Sequence, residues 1–380
     1  MAAPAPVLAS PGGLLALWQG WRDRLLGSPV FRRRALAFAP TRAVARRRAG
    51  ELFDLVAGFV YSQALLACVD LRLFDHLRDG PLGVKPLAAR IDVPEAALER
   101  LLDAAVALRL LERRRHAAYG LGALGAAMLD NPPLQAMIRH HAALYADLRD
   151  PVALLRGRPG ALAAYWPYAA EAAPDRLRGD QVAAYSALMS ASQPLVADEI
   201  LQAWPVHRHT CLLDVGGGEG GFLMAAAGQA PTLRLMLFDL PAVAQRAQQA
   251  LAAHGLSQRA RTFGGDFLRT PLPAGADLVS LVRVVHDHDD ASVRRLLAAV
   301  FAALPPGGVL LLAEPLADTP GARAMGDAYF GLYLLAMGRG RPRTARELSS
   351  MLREAGFEHV RQRRTRLPLQ TGLLVARRPA

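Results

Sequence analysis

An apolar run that begins at Leu281 ends in two histidines and three aspartates, His286 to Asp290. Residues of these types so close together can do three things. A histidine beside a carboxylate moves protons near neutral pH. His286 and His288, on one side of an extended segment with Asp289 or Asp290, could ligate a metal. Asp289 and Asp290 could instead be the acid pair that opens a helix over DASVRRLLAAV. The metal reading places every ligand in one short loop, with no second cluster to support it, so no metal is expected. Cys68 and Cys211 are too few for a thiolate site or a disulfide framework, and they fit a reducing cytoplasm.

A second constellation lies upstream in LLDVGGGEGG, Leu212 to Gly221. Gly216, Gly218 and Gly221 satisfy G-x-G-x-x-G, which allows a tight strand-to-helix turn against a nucleotide and which alone admits a nicotinamide dinucleotide. Three further positions narrow the ligand. Asp214 stands just before the glycines, where it can receive a cationic amine. Asp239, in LFDLP, can accept from two ribose hydroxyls. Asp266 and Phe267, in GGDFL, suit an adenine amino group and its ring face. An amino-acid head, a ribose and an adenine together make S-adenosylmethionine. A nicotinamide cofactor would leave Asp214 and the GDF stretch without a role.

These side chains need a scaffold that brings strand ends together. After Thr210, short apolar runs (CLLDVG, LRLMLFDL, ADLVSLVRVV, GGVLLLAE, TGLLVARR) alternate with amphipathic stretches. That alternation predicts an α/β domain, a Rossmann-like and mostly parallel sheet with helices on both faces. From Glu51 to about Ile200 the pattern is helical. VKPLAARIDVP reads as a short helix and turn. PEAALERLLDAAVALRLLERRR repeats apolar residues at helical spacing, and RRRHAAYGLGALG reads as a two-stranded wing. Helix, turn, helix and wing predict a winged-helix module, for DNA binding, for dimerisation or for capping a substrate. The boundaries expected are an Arg-rich extension over 1–50, a helical winged-helix domain over 51–200 and a cofactor-binding catalytic domain over 201–380.

The 380 residues are 52% hydrophobic with a net charge of +12, and Lys85 is the only lysine. Residues 1–50 hold nine arginines against the single acid Asp23, a net of +8, with Trp18, Trp21 and Phe31 interspersed. A solvated basic tail, an arm for a membrane surface and a nucleic-acid-binding arm all fit. Nucleic acid is not expected, because PEAALERLL lacks a basic recognition face. The N-terminus has no basic region followed by an apolar core, so no signal peptide is expected. LFDLVAGFVYSQALLACV, interrupted by Asp54, Ser62 and Gln63, reads as a buried helix, too apolar to stay exposed and so suited to a homodimer contact.

The ordered set LLDVGGGEGG, LFDLP, GGDFL, RVVHDHDD, PPGGVLLLAE and MLREAGF resembles class I methyltransferases of the plant caffeate and acetylserotonin O-methyltransferase type, over about residues 51–380. More narrowly, FDLVAGFVYSQALLACV and YFGLYLLAMGRGRPRT resemble the carotenoid branch, the hydroxyneurosporene (demethylspheroidene) O-methyltransferases of purple photosynthetic bacteria. The resemblance implies methyl transfer from S-adenosylmethionine to the tertiary 1-hydroxyl of an acyclic carotenoid by a homodimeric cytoplasmic enzyme, with peripheral contact at the inner or intracytoplasmic membrane. It makes His286 the general base and Glu314, twenty-eight residues on, its orienting carboxylate. It assigns Asp214, Gly216, Gly218, Asp239, Leu240, Gly265, Asp266, Phe267 and Arg283 to the cofactor, and Met189 and Asp287 to the substrate. Ser192 and Gln193 are weaker matches beside Met189. Two positions depart from the family pattern: His288 replaces a tryptophan, and Ala345 replaces a second carboxylate, for which Glu347 is the nearest substitute. Two other functions stay open on the sequence: O-methylation of another small hydrophobic metabolite such as a phenol, polyketide or chlorin, and a non-catalytic winged-helix regulator.

Overall fold

The computed structural model describes residues 13–165, 179–368 and 371–380. They form two compact units, residues 1–129 and 130–380.

The first unit opens with helices α1 (Leu14–Gly27), α2 (Pro29–Ala37) and α3 (Ala39–Asp70). Ser28 accepts the Phe31 N–H to cap α2, and Pro29 supplies the fixed backbone angle of its first turn. α3 passes straight through the expected boundary at residue 50, Gly50 included, because the alanines and arginines before it are good helix formers. Helix Val84–Ile91 stops at Asp92, which takes a left-handed conformation, and helix Glu95–Ala107 buries Leu98, Leu102 and Ala105 on one face. The wing has three strands in the order β1-β3-β2, from β1 (Leu82–Gly83), β2 (Leu111–Arg113) and β3 (Ala118–Leu121). The unanticipated β1 is two residues long, too short to carry a periodic signal.

The second unit is built on a seven-stranded sheet of β4 (Cys211–Val215), β5 (Arg234–Asp239), β6 (Ala260–Gly264), β7 (Leu278–Val282), β8 (Val309–Glu314), β9 (Glu358–Arg363) and β10 (Gly372–Arg377). The order is β6-β5-β4-β7-β8-β10-β9, with only β10 antiparallel to its neighbours. Successive residues of a central strand feed opposite cores, as the two-residue period requires. On β8, Leu311 and Ala313 pack with Phe222, Leu223 and Leu251. Leu310 and Leu312 pack with Val293, Leu297 and Leu352. Both faces are therefore covered, which is why these strands read as unbroken apolar runs.

The units divide at residue 129, well before the boundary expected at 200. The physical reason lies in helix Gly179–Ala203, whose Val196, Ala197, Ile200 and Leu201 join the core beneath the sheet.

Candidate active site

The parallel strands end together, and the loops leaving them carry the predicted chemistry. After Val215 the chain turns sharply. Gly216 adopts φ +69°, and a side chain there would lie 2.7 Å from Val284. Its N–H reaches back to the Phe238 carbonyl at 2.8 Å, fixing the glycine loop to the end of β5. Asp239, the last residue of β5, accepts the Gly218 N–H at 2.8 Å and the Leu240 N–H at 2.7 Å. Burial nevertheless pushes its carboxyl up to about 6.

Asp214 is buried in the middle of this arrangement. One oxygen accepts the Ser280 hydroxyl at 2.6 Å, and the other is buried without a hydrogen-bond partner. Burial raises the carboxyl to about 7. An orphaned carboxylate oxygen beside a cavity is what a cationic amine would complete. That cavity, about 350 Å³, is lined by Asp214, Gly218, Asp239, Asp266, Phe267 and Met189 among others. Leu240, Gly216, Arg283 and Asp287 also line it. The orphaned oxygen, the ribose-suited carboxylate and the adjoining aromatic ring fit S-adenosylmethionine in size and chemistry. Gly265, just before Asp266 and Phe267, is fixed by its N–H, which donates to the Asp239 carbonyl at 2.9 Å, and the Phe238 ring occupies the space beside it.

Arg283 follows the last residue of β7 with φ +57°, so the strand ends sooner than the apolar run suggested. Its guanidinium donates to Ser192 Oγ at 2.7 Å, Gln193 Oε1 at 2.5 Å and the Met189 carbonyl at 3.1 Å. It thus ties the stretch bearing Met189 to the cavity. Next comes a short 3-10 turn, Val285–Asp287. Glu314, the last residue of β8 and 2% exposed, reaches under it. Oε1 accepts the N–H groups of Val284 at 2.9 Å and Val285 at 2.6 Å, and Oε2 is hydrogen-bonded to His286 Nδ1. His286 Nε2 is 3.2 Å from Asp287 Oδ1, an ion-pair distance without hydrogen-bond alignment. Burial alone would depress the imidazole, but the carboxylates of Asp287 and Glu314 outweigh it and raise His286 to about 9. Burial in turn lifts the Asp287 carboxyl to about 7. At neutral pH this cluster favours a proton on His286, so an imidazolium is stabilised there.

The two histidines of the loop part company. The His288 ring meets Phe267 edge to face at 5.2 Å and lines the cofactor-sized cavity, and burial drives it down to about 4. His286 is outside that lining and meets Phe330 at 6.1 Å. Phe330 follows a π-helical turn, Ala324–Tyr329, and belongs to an aromatic wall with Tyr329 and Tyr333. His141 and His140 hydrogen-bond the hydroxyls of Tyr329 and Tyr333, each at 2.8 Å. His286 therefore stands between a polar cavity and an apolar wall. Among the described residues, no group of three His, Cys, Asp or Glu side chains is placed to hold a metal ion.

The remaining acids are structural. Asp289 caps helix Asp290–Ala303 through the Ser292 N–H at 2.8 Å. Glu347 forms a capping box with Thr344 and pairs with Arg341 at 2.8 Å, so its carboxylate is not available as a second partner for His286. Two positioning residues had no sequence signal strong enough to single them out. Arg343, 2% exposed, donates to the carbonyls of Val285 at 2.9 Å and His288 at 2.7 Å and pairs with Asp290 at 2.6 Å. Gly340 packs directly on the His286 carbonyl, where a side chain would collide with it.

Comparison with known proteins accords with this geometry. The family model for the O-methyltransferase domain matches residues 145–358, and that for the O-methyltransferase dimerisation domain matches residues 53–131. The chain is 43% identical to the demethylspheroidene O-methyltransferase of Cereibacter sphaeroides, covering 89% of each chain. It is 41% identical to that of Rhodobacter capsulatus, covering 88% of this chain and 84% of that one. The fold is similar to human N-acetylserotonin methyltransferase in complex with SAM, with a TM-score of 0.72 and 26% identity over 88% of this chain and 98% of that one. A glycine loop and carboxylates around a cofactor-sized cavity, a carboxylate-bound histidine beside it, and a dimerisation module ahead of both make the chain a member of the O-methyltransferase family.

Proposed function

We propose that this chain methylates the tertiary hydroxyl of demethylspheroidene or a closely similar acyclic hydroxycarotenoid, with S-adenosylmethionine as the methyl donor and His286 as general base. The observation that carries the reading is the Glu314–His286 hydrogen bond beside a cavity lined by Asp214 and Asp239. The bound cofactor would supply an electrophilic methyl group on a sulfonium. Asp214 would hold its amine, Asp239 its ribose, and Asp266 with Phe267 its adenine. An alcohol is a poor nucleophile while it keeps its proton, so the base is the chain's main chemical contribution. With Nδ1 committed to Glu314, Nε2 is the nitrogen that takes the proton, and the two nearby carboxylates steady the resulting charge. Asp287 would contact the acceptor at the same nitrogen, and Met189 would close the boundary between cofactor and acceptor. Tyr329, Phe330 and Tyr333 offer the apolar surface that a polyene needs.

The enzyme is a homodimer through its dimerisation domain, and on this reading it meets its acceptor from the cytoplasmic side of the inner or intracytoplasmic membrane. Mass spectrometry of pigments from cells that express the chain with a hydroxylated carotenoid tests the proposal. A product heavier by one methylene supports it, and an unchanged pigment beside a methylated phenol or polyketide refutes the acceptor while leaving the chemistry.

A further inference from the structure

Two helices precede everything that the dimerisation match requires, since that match begins at Phe53. Neither α1 nor α2 buries a single residue. A helix this short gains little from propensity alone and depends on burying a face, which α1 and α2 do only in part against each other and α3. On α1, Leu14, Trp18, Trp21 and Leu25 recur at helical spacing along one stripe. Three of them are well exposed: Leu14 88%, Trp18 54% and Trp21 59%. Leu17, at 66%, widens the stripe.

Charge flanks that apolar face. At 3.6 residues per turn, Arg22 and Arg24 fall on either side of the stripe, where their stems can lie along apolar surface with the guanidinium groups directed outward. Arg22 also lies 5.4 Å over the Trp18 ring. Arg32, Arg33 and Arg34 on α2 and Arg46, Arg47 and Arg48 on α3 are exposed. Among the described residues, Arg24, Arg32, Arg33, Arg34, Arg46 and Arg48 have no carboxylate partner, and Arg47 has only the surface pair with Glu51. The +8 of residues 1–50 is therefore largely uncompensated.

We propose that α1 and α2 are a docking arm for the surface of an anionic phospholipid bilayer. Leu14, Leu17, Trp18 and Trp21 would enter the headgroup boundary, and the arginines would pair with lipid phosphates. Tryptophan suits a site that is apolar on one side and wet on the other. An amphipathic helix bordered by basic residues binds bilayers through buried apolar area together with attraction to anionic lipid. Duplex DNA would satisfy the arginines but would leave two tryptophans and two leucines exposed. The binding rests on the helices alone. Its purpose, to bring the enzyme to an acceptor dissolved in the bilayer, rests on the function proposed above.

The test is flotation of the full chain with vesicles of phosphatidylcholine alone or with about one third phosphatidylglycerol. Trp18→Ser/Trp21→Ser and Arg32→Gln/Arg33→Gln/Arg34→Gln variants are carried alongside. We expect binding to the anionic vesicles only, reduced at least tenfold in each variant and weakened by half-molar salt. Methyl transfer to detergent-solubilised acceptor should be unchanged in both variants, while transfer to acceptor embedded in anionic vesicles should fall. Equal binding to both vesicle types, or none, overturns the proposal. So does tighter retention by a DNA duplex than by the vesicles, or loss of the dimer in the tryptophan variant, which would make α1 a subunit contact. Vesicle binding without methylation of any hydroxycarotenoid would refute the acceptor and leave the docking arm standing.

Discussion

Replacing Glu314 by glutamine removes one charge and almost no volume. The glutamine oxygen can still accept the N–H groups of Val284 and Val285, now at 2.9 and 2.6 Å, so the turn should survive. The amide nitrogen then faces His286 Nδ1 as a donor. The imidazole must offer a lone pair there and carry its proton on Nε2, the nitrogen that should be accepting one. The lost charge adds to this. Unit charges about 4 Å apart attract by about 4 kcal/mol at an effective dielectric of about 20, close to three pKa units. The His286 ring is 11% exposed, and solvent there trims the effect to roughly two units. His286 should drop from about 9 to about 7. The wrong tautomer and the weaker base together should cost about 10³-fold in rate, within the 10²–10⁴ usual for general-base assistance. The assay is the pH dependence of single-turnover methyl transfer and of kcat/KM. The plateau should be lower and the inflection displaced towards acid. A rate within threefold of wild type, or an inflection that does not move, would refute the assignment of this pair. Stability supplies an independent reading. Because the folded-state value of His286 is raised, its contribution is complete below the ordinary 6.5 and is lost as pH rises through about 9. Urea denaturation of the wild type should show that loss, and the glutamine variant should show much less of it.

The two loop histidines should behave differently: His286→Ala should lower turnover about 10²–10⁴-fold with cofactor affinity nearly unchanged, whereas His288→Ala should chiefly weaken the demethylated cofactor in calorimetry. Near-normal turnover of His286→Ala with a dead His288→Ala would reverse the assignment. Asp214 is held up at about 7 by burial, and an ammonium ligand favours its charged form, so affinity for the demethylated cofactor should rise from pH 6 to 8 with proton release below 7. Asp214→Asn should abolish that proton release in paired-buffer calorimetry. Gly340→Ala must push the His286 carbonyl aside, and it should cut turnover at least tenfold while calorimetry finds cofactor binding close to wild type. Light scattering at micromolar concentration should give the mass of a dimer, since Leu52, Phe53, Leu55, Val56 and Phe59 are all exposed on α3.

How much of this was legible in the sequence follows from where each residue is buried. β4, β5, β7, β8 and β10 announce themselves because covered strands have no polar face to interrupt them. β6 and β9 are edge strands, with sequences ARTFG and EHVRQR, and the solvent on one side erases the signal. The end of β7 was misplaced because Val284 and Val285 continue the apolar run although Arg283 has already left the extended conformation. His286, Glu314, Asp214 and Asp239 were identifiable because each lies near a strand end, where a titratable group interrupts apolar residues. Arg343 and Gly340 were not. A structural arginine looks like any other arginine in so basic a chain, and the need for a glycine at 340 arises only from contact with a loop more than fifty residues away. The division at residue 129 falls ahead of the boundary expected at 200 for a similar reason, since an apolar helix carries no mark of which core it will join.

The turn that bears His286 is held from both sides, by Glu314 beneath its N–H groups and by Arg343 across its carbonyls. Neither clamp belongs to the aromatic wall that faces the imidazole. On the proposed function, exchanging Phe330, Tyr329 or Tyr333 would reshape the chamber for a ring, a chain or a polyene and leave both clamps in place. Such a separation would let new acceptors be explored by changing one wall while His286, Glu314 and Arg343 stay as they are. It also tells an engineer where to begin, at the π-helical segment and the helix after it, leaving residues 283–290, 314 and 340–343 alone.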